Sequence, residues 1–407
     1  KGAIRKAANM AVLNVDHPDI FDFIIIKEKA NILTNFNLSV GITEKFMDAV
    51  MKNKEYDLID PHTKQVVKKV NAKKVFDLLV TMAWKNGEPG VLFLDRINKD
   101  NEIKNETIMT TDPCGESPMT EYECSVLGSL NLPKFVQDNA INWKRLADIT
   151  KVATRFLDNA LSTNKTPIKK VQQKSNSFRR IGLGIMGFAD LLYQLEIPYD
   201  TQEAVDLAEK IMRWINKHAH ETSIDLASEK GPFKSWKKTN LYPKFKRRNI
   251  ACTTIAPTGS ISMLVDTSSS IEPHFALVYQ RKGLGNQEFI YVNKYFEQAL
   301  RKREMYSQEL IQKLLNVGSL KDIEELPKDL KRIFVTSNDI DPKAQIKIQA
   351  AFQKYTDNAI SKTINFPSYA TPQEIEKIFK IAYKEGLKGI TVYRDGSRDN
   401  QVINIKN

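Results

Sequence analysis

The segment Thr111-Asp112-Pro113-Cys114-Gly115-Glu116 places a thiol between two carboxyl groups, one two residues before it and one two residues after. In an extended loop, side chains at i−2, i and i+2 share a side, so Asp112, Cys114 and Glu116 are expected to face one substrate. Two nearby carboxylates disfavour a thiolate and keep the S–H protonated. That is the wrong setting for a thiolate nucleophile, but it suits a thiol that gives up a hydrogen atom. The bland alternative is a surface loop with an incidental cysteine, and these residues alone leave both open.

Two further stretches carry possible chemistry. In Thr254-Ile255-Ala256-Pro257-Thr258-Gly259-Ser260-Ile261-Ser262 a β run enters a Pro-Thr-Gly-Ser turn and then a helix. Free backbone N–H groups and small hydroxyls at a helix start suit an anion, though the spacing fits an ordinary capped helix equally well. Gly182-Leu183-Gly184-Ile185-Met186-Gly187 matches G-x-G-x-x-G, but a dinucleotide site needs a buried strand just before it. Gln172 to Arg180 is too polar to be one. The glycines are therefore read as close backbone packing at a helix start.

The elements that must position these groups follow from periodicity. Phe21–Ile26 is a strand or a helix end, and Thr34–Val40 alternates as a strand. Thr43 caps a helix presenting Phe46, Met47, Val50 and Met51. Helices are expected over 74–86, 142–161 (with Leu146, Ile149, Phe156 and Leu157 on one face), from an Asp200/Glu203 capping box onward, and over 343–361 and 372–385. Strands are expected at 91–94, 250–256 and 389–393, and a long loop at 96–123 carries Cys114. Alternating strands and helices imply parallel βα units. No linker, repeat or low-complexity tract divides the 407 residues.

The net charge is +12, with 61 Lys and Arg against 49 Asp and Glu. The basic runs Lys68–Lys74 and Lys244–Arg248 are short and lack the interleaved aromatics of a single-strand binding surface, so no nucleic-acid partner is expected; a phosphate-bearing small molecule suits the charge. No apolar stretch approaches the roughly 18 residues of a membrane helix, and Lys1–Lys6 does not open a secretory signal. Three cysteines, Cys114, Cys124 and Cys252, make no disulfide framework and suit a reducing cytoplasm. No metal-ligand spacing is present among them and the dispersed histidines.

The string Asp112-Pro113-Cys114-Gly115-Glu116-Ser117-Pro118, followed by Tyr122-Glu123-Cys124-Ser125-Val126-Leu127-Gly128-Ser129-Leu130-Asn131-Leu132, resembles the catalytic segment of ribonucleotide reductases, most of all the adenosylcobalamin-dependent class. The resemblance continues in order through Asp16–Ile20, Leu33–Asn37, Arg180–Gly184, Thr254–Ser260, Thr356–Asn365 and Gly389–Arg398. It implies an α/β fold: the second and larger part of a ten-stranded barrel over residues 1–400, with the radical cysteine on an internal finger loop, and a short tail at 401–407. It implies reduction of ribonucleoside di- or triphosphates to deoxyribonucleotides by a thiyl radical, in an oxidoreductase whose acceptor is a disulfide. Cys114 matches the cysteine that takes the ribose 3′ hydrogen and Glu116 the base for the 3′-hydroxyl. The substrate diphosphate falls on Pro257, Thr258, Gly259, Ser260 and Ile261. Lys27–Ile32 lies where the family has a loop linking effector to substrate.

Three departures qualify this. Asp112 stands where the family usually has Asn, and an ionised Asp accepts but does not donate. The family's second redox cysteine falls on Ser125, with Cys124 next to it as the candidate thiol. One residue of slip on a strand turns a side chain to the other face. The tyrosine pair of the class with a separate radical-generating subunit reads Val392-Tyr393, and valine cannot be oxidised, so adenosylcobalamin is the expected cofactor. The expected partners are a dithiol reductant such as thioredoxin and an N-terminal half or partner chain completing the barrel. The alternatives are the class with a separate radical subunit and a non-catalytic nucleotide-binding homologue.

Overall fold

A computed structural model describes residues 7–29, 32–282, 288–317 and 319–397. The expected tail at 401–407, Arg398, and Ala30 and Asn31 of the effector-linked segment lie outside these residues. Nine strands position the site: β1 (Asn9–Asn14), β2 (Phe36–Ile42), β3 (Gly90–Phe93), β4 (Thr110–Thr111), β5 (Pro118–Met119), β6 (Val126–Asn131), β7 (Ile181–Met186), β8 (Thr363–Phe366) and β9 (Gly389–Arg394).

The main sheet runs β1-β2-β3-β9-β8. β1, β2 and β3 are mutually parallel, with Ala11 opposite Leu38 and Val40 opposite Val91. β9 pairs antiparallel with β3 through Ile390 and Val91, and parallel with β8 through Val392 and Ile364. β6 and β7 form a second parallel pair, Leu127 opposite Gly182. Single parallel bridges, Leu183 to Thr253 and Ile255 to Ile360, join β7 through 252–255 to the backbone leading into β8. Five lengths of backbone thus run one way and three the other, and they meet at β9/β3. The purely parallel arrangement expected from the βα alternation is corrected at that seam. Seven of these eight lengths are strands; 252–255, expected within a strand over 250–256, is joined by single bridges only.

Helices cover the outer faces. Ala72–Asn86 and Pro372–Lys384 pack on the main sheet, burying Val75, Leu79, Ile375 and Phe379 against Val40, Val91, Ile364 and Ile390. Each such side chain contributes about 2 kcal/mol by leaving water. Trp143–Thr163, Gln202–Lys230 and Pro342–Gln353 pack similarly on β6, β7, Ile255 and Ile360. Among the described residues no helix is long and apolar enough to cross a membrane.

Local chemistry sets the boundaries, and several expectations change. Phe21–Ile26 lies mostly in a helix, Ile20–Ile25. Thr43 caps as expected, its Oγ1 accepting from Phe46 N at 3.2 Å. The cap of the long helix is Thr201, whose Oγ1 accepts from Ala204 N, while Asp200 pairs with Arg332. Phe156 and Ile149 point to solvent, 68% and 40% exposed; the buried face is Leu146, Thr150, Thr154, Leu157 and Asp158. The helix expected over 343–361 stops at Gln353. Asn358 Nδ2 donates to the carbonyls of Ile181 and Thr253, drawing the chain into the wall instead.

The glycine motif does what close packing requires. Gly182 and Gly184 lie within the buried strand β7 instead of at the expected helix start, and only Gly187, at φ +83°, precedes the helix Phe188–Gln194. A Cβ on Gly184 would stand 2.2 Å from the Thr254 carbonyl oxygen, so the stretch 252–255 approaches β7 only because this residue has no side chain. Gly184→Ala is expected to cost about 3 kcal/mol, read as a lowered midpoint in urea unfolding; an unchanged midpoint would contradict the packing.

Candidate active site

β4 and β5 form an antiparallel hairpin, Thr110 opposite Met119 and Thr111 opposite Pro118, whose loop carries Cys114. The expected extended loop is instead a turn. Gly115 N donates to Asp112 O at 3.1 Å, and Gly115 takes φ +86°, a region that favours glycine. The turn gives the three chemical groups different exposure. Cys114 is exposed on a cavity of about 370 Å³, whereas Glu116 is 3% exposed behind it. The loop is pinned on both sides. Asn37 Nδ2 of β2 donates to Pro113 O at 2.5 Å. Glu116 O accepts from Thr254 Oγ1 at 2.6 Å and from Ala359 N at 2.9 Å. The cavity's other walls include Ser39, Pro257, Lys362, Val392 and Tyr393.

Asp112 and Glu116 interact with each other. Asp112 Oδ1 accepts from Ser117 N at 2.8 Å. Burial pushes the Glu116 carboxyl up to about 9, and the neighbouring Asp112 carboxyl adds to the shift. Burial raises Asp112 as well, opposed by hydrogen bonds to Glu116 and to the turn's backbone N–H groups. Glu116 Oε2 is buried with no hydrogen-bond partner. Close, desolvated carboxyl groups do not both ionise near neutrality, so the pair holds a proton.

Cys124 and Ser125 do not line this cavity. Cys124 is half-buried with Sγ 2.8 Å from Ser175 Oγ on the helix Lys169–Phe178, and Ser125 Oγ is buried without a partner.

The turn at 257–261 adjoins the cavity through Pro257. Thr258 is buried at φ +56°, and Gly259, Ser260 and Ile261 are exposed at the start of the helix Gly259–Leu264. A brace absent from the sequence reading holds it. Thr258 Oγ1 accepts from Ser270 N at 2.7 Å. Ser268 N, Thr267 Oγ1, Asn293 Nδ2 and His274 Nε2 all bond the carboxylate of Asp190, His274 at 2.6 Å. These partners lie 77 to 103 residues from Asp190, so no local signal reveals them. Thr258→Val would strand the buried Ser270 N–H, costing about 1–2 kcal/mol; urea unfolding checks this, and an unshifted midpoint would remove the turn's anchor.

The ribonucleotide reductase barrel-domain model matches residues 1–247 and 243–393. The chain belongs to the ribonucleotide reductase family. It is 44% identical over 407 residues to a vitamin B12-dependent ribonucleoside-diphosphate reductase of Thermoplasma acidophilum, covering 99% of this chain and 53% of that protein. It is 40% identical to the protein of the same description from Mycobacterium tuberculosis, covering 58% of it. The chain thus spans about half the length of the curated relatives it matches. In structure it is similar to the Actinobacillus ureae class Id ribonucleotide reductase alpha subunit, with TM-score 0.80, 22% identity, and 95% of this chain and 70% of that one covered. That likeness supports the fold.

In this chain Cys114, Val392, Tyr393 and Pro257 line one cavity. The carboxyl pair sits one layer behind, and the Cys124/Ser125 position lies apart.

Proposed function

We propose that the chain carries the substrate-reducing part of an adenosylcobalamin-dependent ribonucleotide reductase, converting ribonucleoside di- or triphosphates to deoxyribonucleotides. The observation that carries this is Cys114, held on a pinned hairpin loop with its side exposed to a cavity. Once its S–H hydrogen has passed to the radical source, the Cys114 sulfur, now a thiyl radical, takes the ribose 3′ hydrogen, and the Asp112/Glu116 pair, holding a proton between two carboxyls, receives and returns hydroxyl protons. The turn Pro257–Ile261 receives the substrate phosphates through exposed backbone at Gly259–Ile261.

The residues at the cavity fit a cofactor that generates its radical beside the thiol. Val392, 2% exposed, is a hydrocarbon where a tyrosine relay needs an oxidisable ring, and the Cys114 face is open to a large group. When bound, adenosylcobalamin supplies the one-electron oxidant for that thiol. The finer partners we propose are a thioredoxin-type dithiol and a polypeptide that pairs with the outer edges of β1 and β6, open strand edges being a liability. None of the three cysteines is in a disulfide, which fits the reducing cytoplasm we assign.

A second reading, a nucleotide-binding homologue without turnover, is favoured by the buried hydroxyl of Ser125 where a redox thiol is expected. An assay of nucleotide reduction with adenosylcobalamin and dithiothreitol decides. It uses the chain alone and fused behind the N-terminal part of the Thermoplasma relative. Deoxynucleotide product supports reduction; tight nucleotide binding without product in both forms overturns it for the second reading.

A further inference from the structure

A second cavity, of about 360 Å³, lies at the N-terminal ends of β7, β9 and the stretch 252–255, where Arg180, Ala251, Asn358 and Lys388 line it. The hairpin separates the two spaces: Cys114 faces the first and Pro118 lines the second. We infer that this second cavity binds a compact phosphate-bearing anion, recognised by Arg247 and Lys99.

The basic run Lys244–Arg248 is split in the fold, and Arg247 turns inward, 6% exposed. A buried arginine ordinarily has a carboxylate partner. Among the described residues the other buried or anchored charges of this cavity are paired: Arg180 with Glu123 at 2.6 Å, Lys388 with Asp100 at 2.9 Å and Lys354 with Glu209 at 2.6 Å. Asp357 accepts from Cys252 N, Asn216 Nδ2 and His220 at 2.7 to 2.9 Å. Arg247 and Lys99 have no such ion pair. Burial raises the carboxyl of Glu102, the remaining acid on the wall, and the nearby Arg247 charge opposes that rise without an ion pair between them.

The hydrogen bonds of Arg247 are incomplete in a way a ligand oxygen would mend. Nη2 donates to Ile250 O at 2.9 Å, but Nε has no acceptor. Nη1 lies 2.9 Å from His220 Nε2, which is itself 2.8 Å from Asp357 Oδ2. A proton on Nε2 satisfies Asp357 and leaves Nη1 facing an N–H; without it, Nε2 accepts from Arg247 and turns a lone pair to the carboxylate. One contact fails in either state, and when Nε2 carries the proton an anion's oxygen supplies the acceptor that Nη1 then lacks. A cation is the poorer occupant. One ligand atom each of His220, Cys252 and Asp357 lies within 4.8 Å of the others, but the guanidinium stands against that group, and burial pushes the Cys252 thiol up to about 12.

The test titrates inorganic phosphate and pyrophosphate into the whole chain, following heat and the ring resonances of His220. Saturable binding that moves the His220 resonances is expected. Arg247→Gln should weaken it about 10-fold or more, as loss of a charge-assisted contact implies, and Lys99→Gln by a few-fold, while Ser260→Ala, on the other cavity's turn, leaves the His220 response intact. Stationary His220 resonances at saturating anion, or isotherms unchanged by both substitutions, would overturn the assignment. Should Arg247→Gln unfold the chain, the exposed Lys99→Gln alone decides by the same criterion.

Discussion

Cys114→Ser is expected to abolish nucleotide reduction, by on the order of 10³-fold or more, leaving nucleotide affinity within a factor of two. Serine keeps the size and position of the side chain, and the loop is held by backbone and neighbour contacts that do not involve sulfur: Asn37 to Pro113, and Thr254 and Ala359 to Glu116. The binding surfaces therefore survive the change. What is lost is the weak S–H bond, the only property of the residue that hydrogen-atom transfer uses. Product formation by deoxynucleotide analysis and affinity by equilibrium dialysis separate the two effects. Undiminished turnover would remove Cys114 from the chemistry; a parallel loss of binding would mark it as structural.

Glu116→Gln should stabilise the folded chain, and the gain should grow with pH. The carboxyl is raised in the folded state, to about 9, from an ordinary value of 4.5. A group with a raised folded pKa favours folding fully below its unfolded pKa, and this contribution is lost as pH rises through the folded value. Between pH 4.5 and 9 the unfolded chain releases the proton while the folded chain keeps it, so each pH unit costs the native state. Glutamine copies the protonated form and avoids the loss. The difference should be near zero at pH 4, on the order of 3 kcal/mol at pH 7, and larger at pH 9. Urea unfolding of both proteins at the three pH values measures it. A pH-independent difference, or a destabilised variant at pH 9, would show that Glu116 is not held protonated. Asp112→Asn removes the neighbouring carboxyl and should lower the folded Glu116 pKa, so the gain levels off at a more acid pH and is smaller at pH 9.

These results follow from features that differ in how visible they are in the chain. Local sequence determined the elements. Alternation marked β2, the 3.6-residue spacing marked Ala72–Asn86 and Pro372–Lys384, and short polar caps such as Thr43 began helices where expected. The glycine motif at 182–187 was legible as backbone packing because the polar stretch before it excluded a buried strand. The order of motifs pointed to the family and, through the resemblance, to Cys114 as the candidate radical thiol.

Tertiary structure decided the rest, because the deciding contacts span tens to hundreds of residues. The helix at 342 ends early because Asn358 finds carbonyls of Ile181 and Thr253, 177 and 105 residues away. Asp190 and His274 hold the loop that anchors the turn at 257–261 across 84 residues. Arg247 is one more basic residue in a run until the fold turns it inward beside His220. The thiol between two carboxyls was plain in the sequence; a single left-handed glycine at 115 sent the thiol to the cavity and the carboxyls to each other. Spacing sets which groups are near along the chain, while the turn and the desolvation around it set which of them share a proton and which faces the cavity.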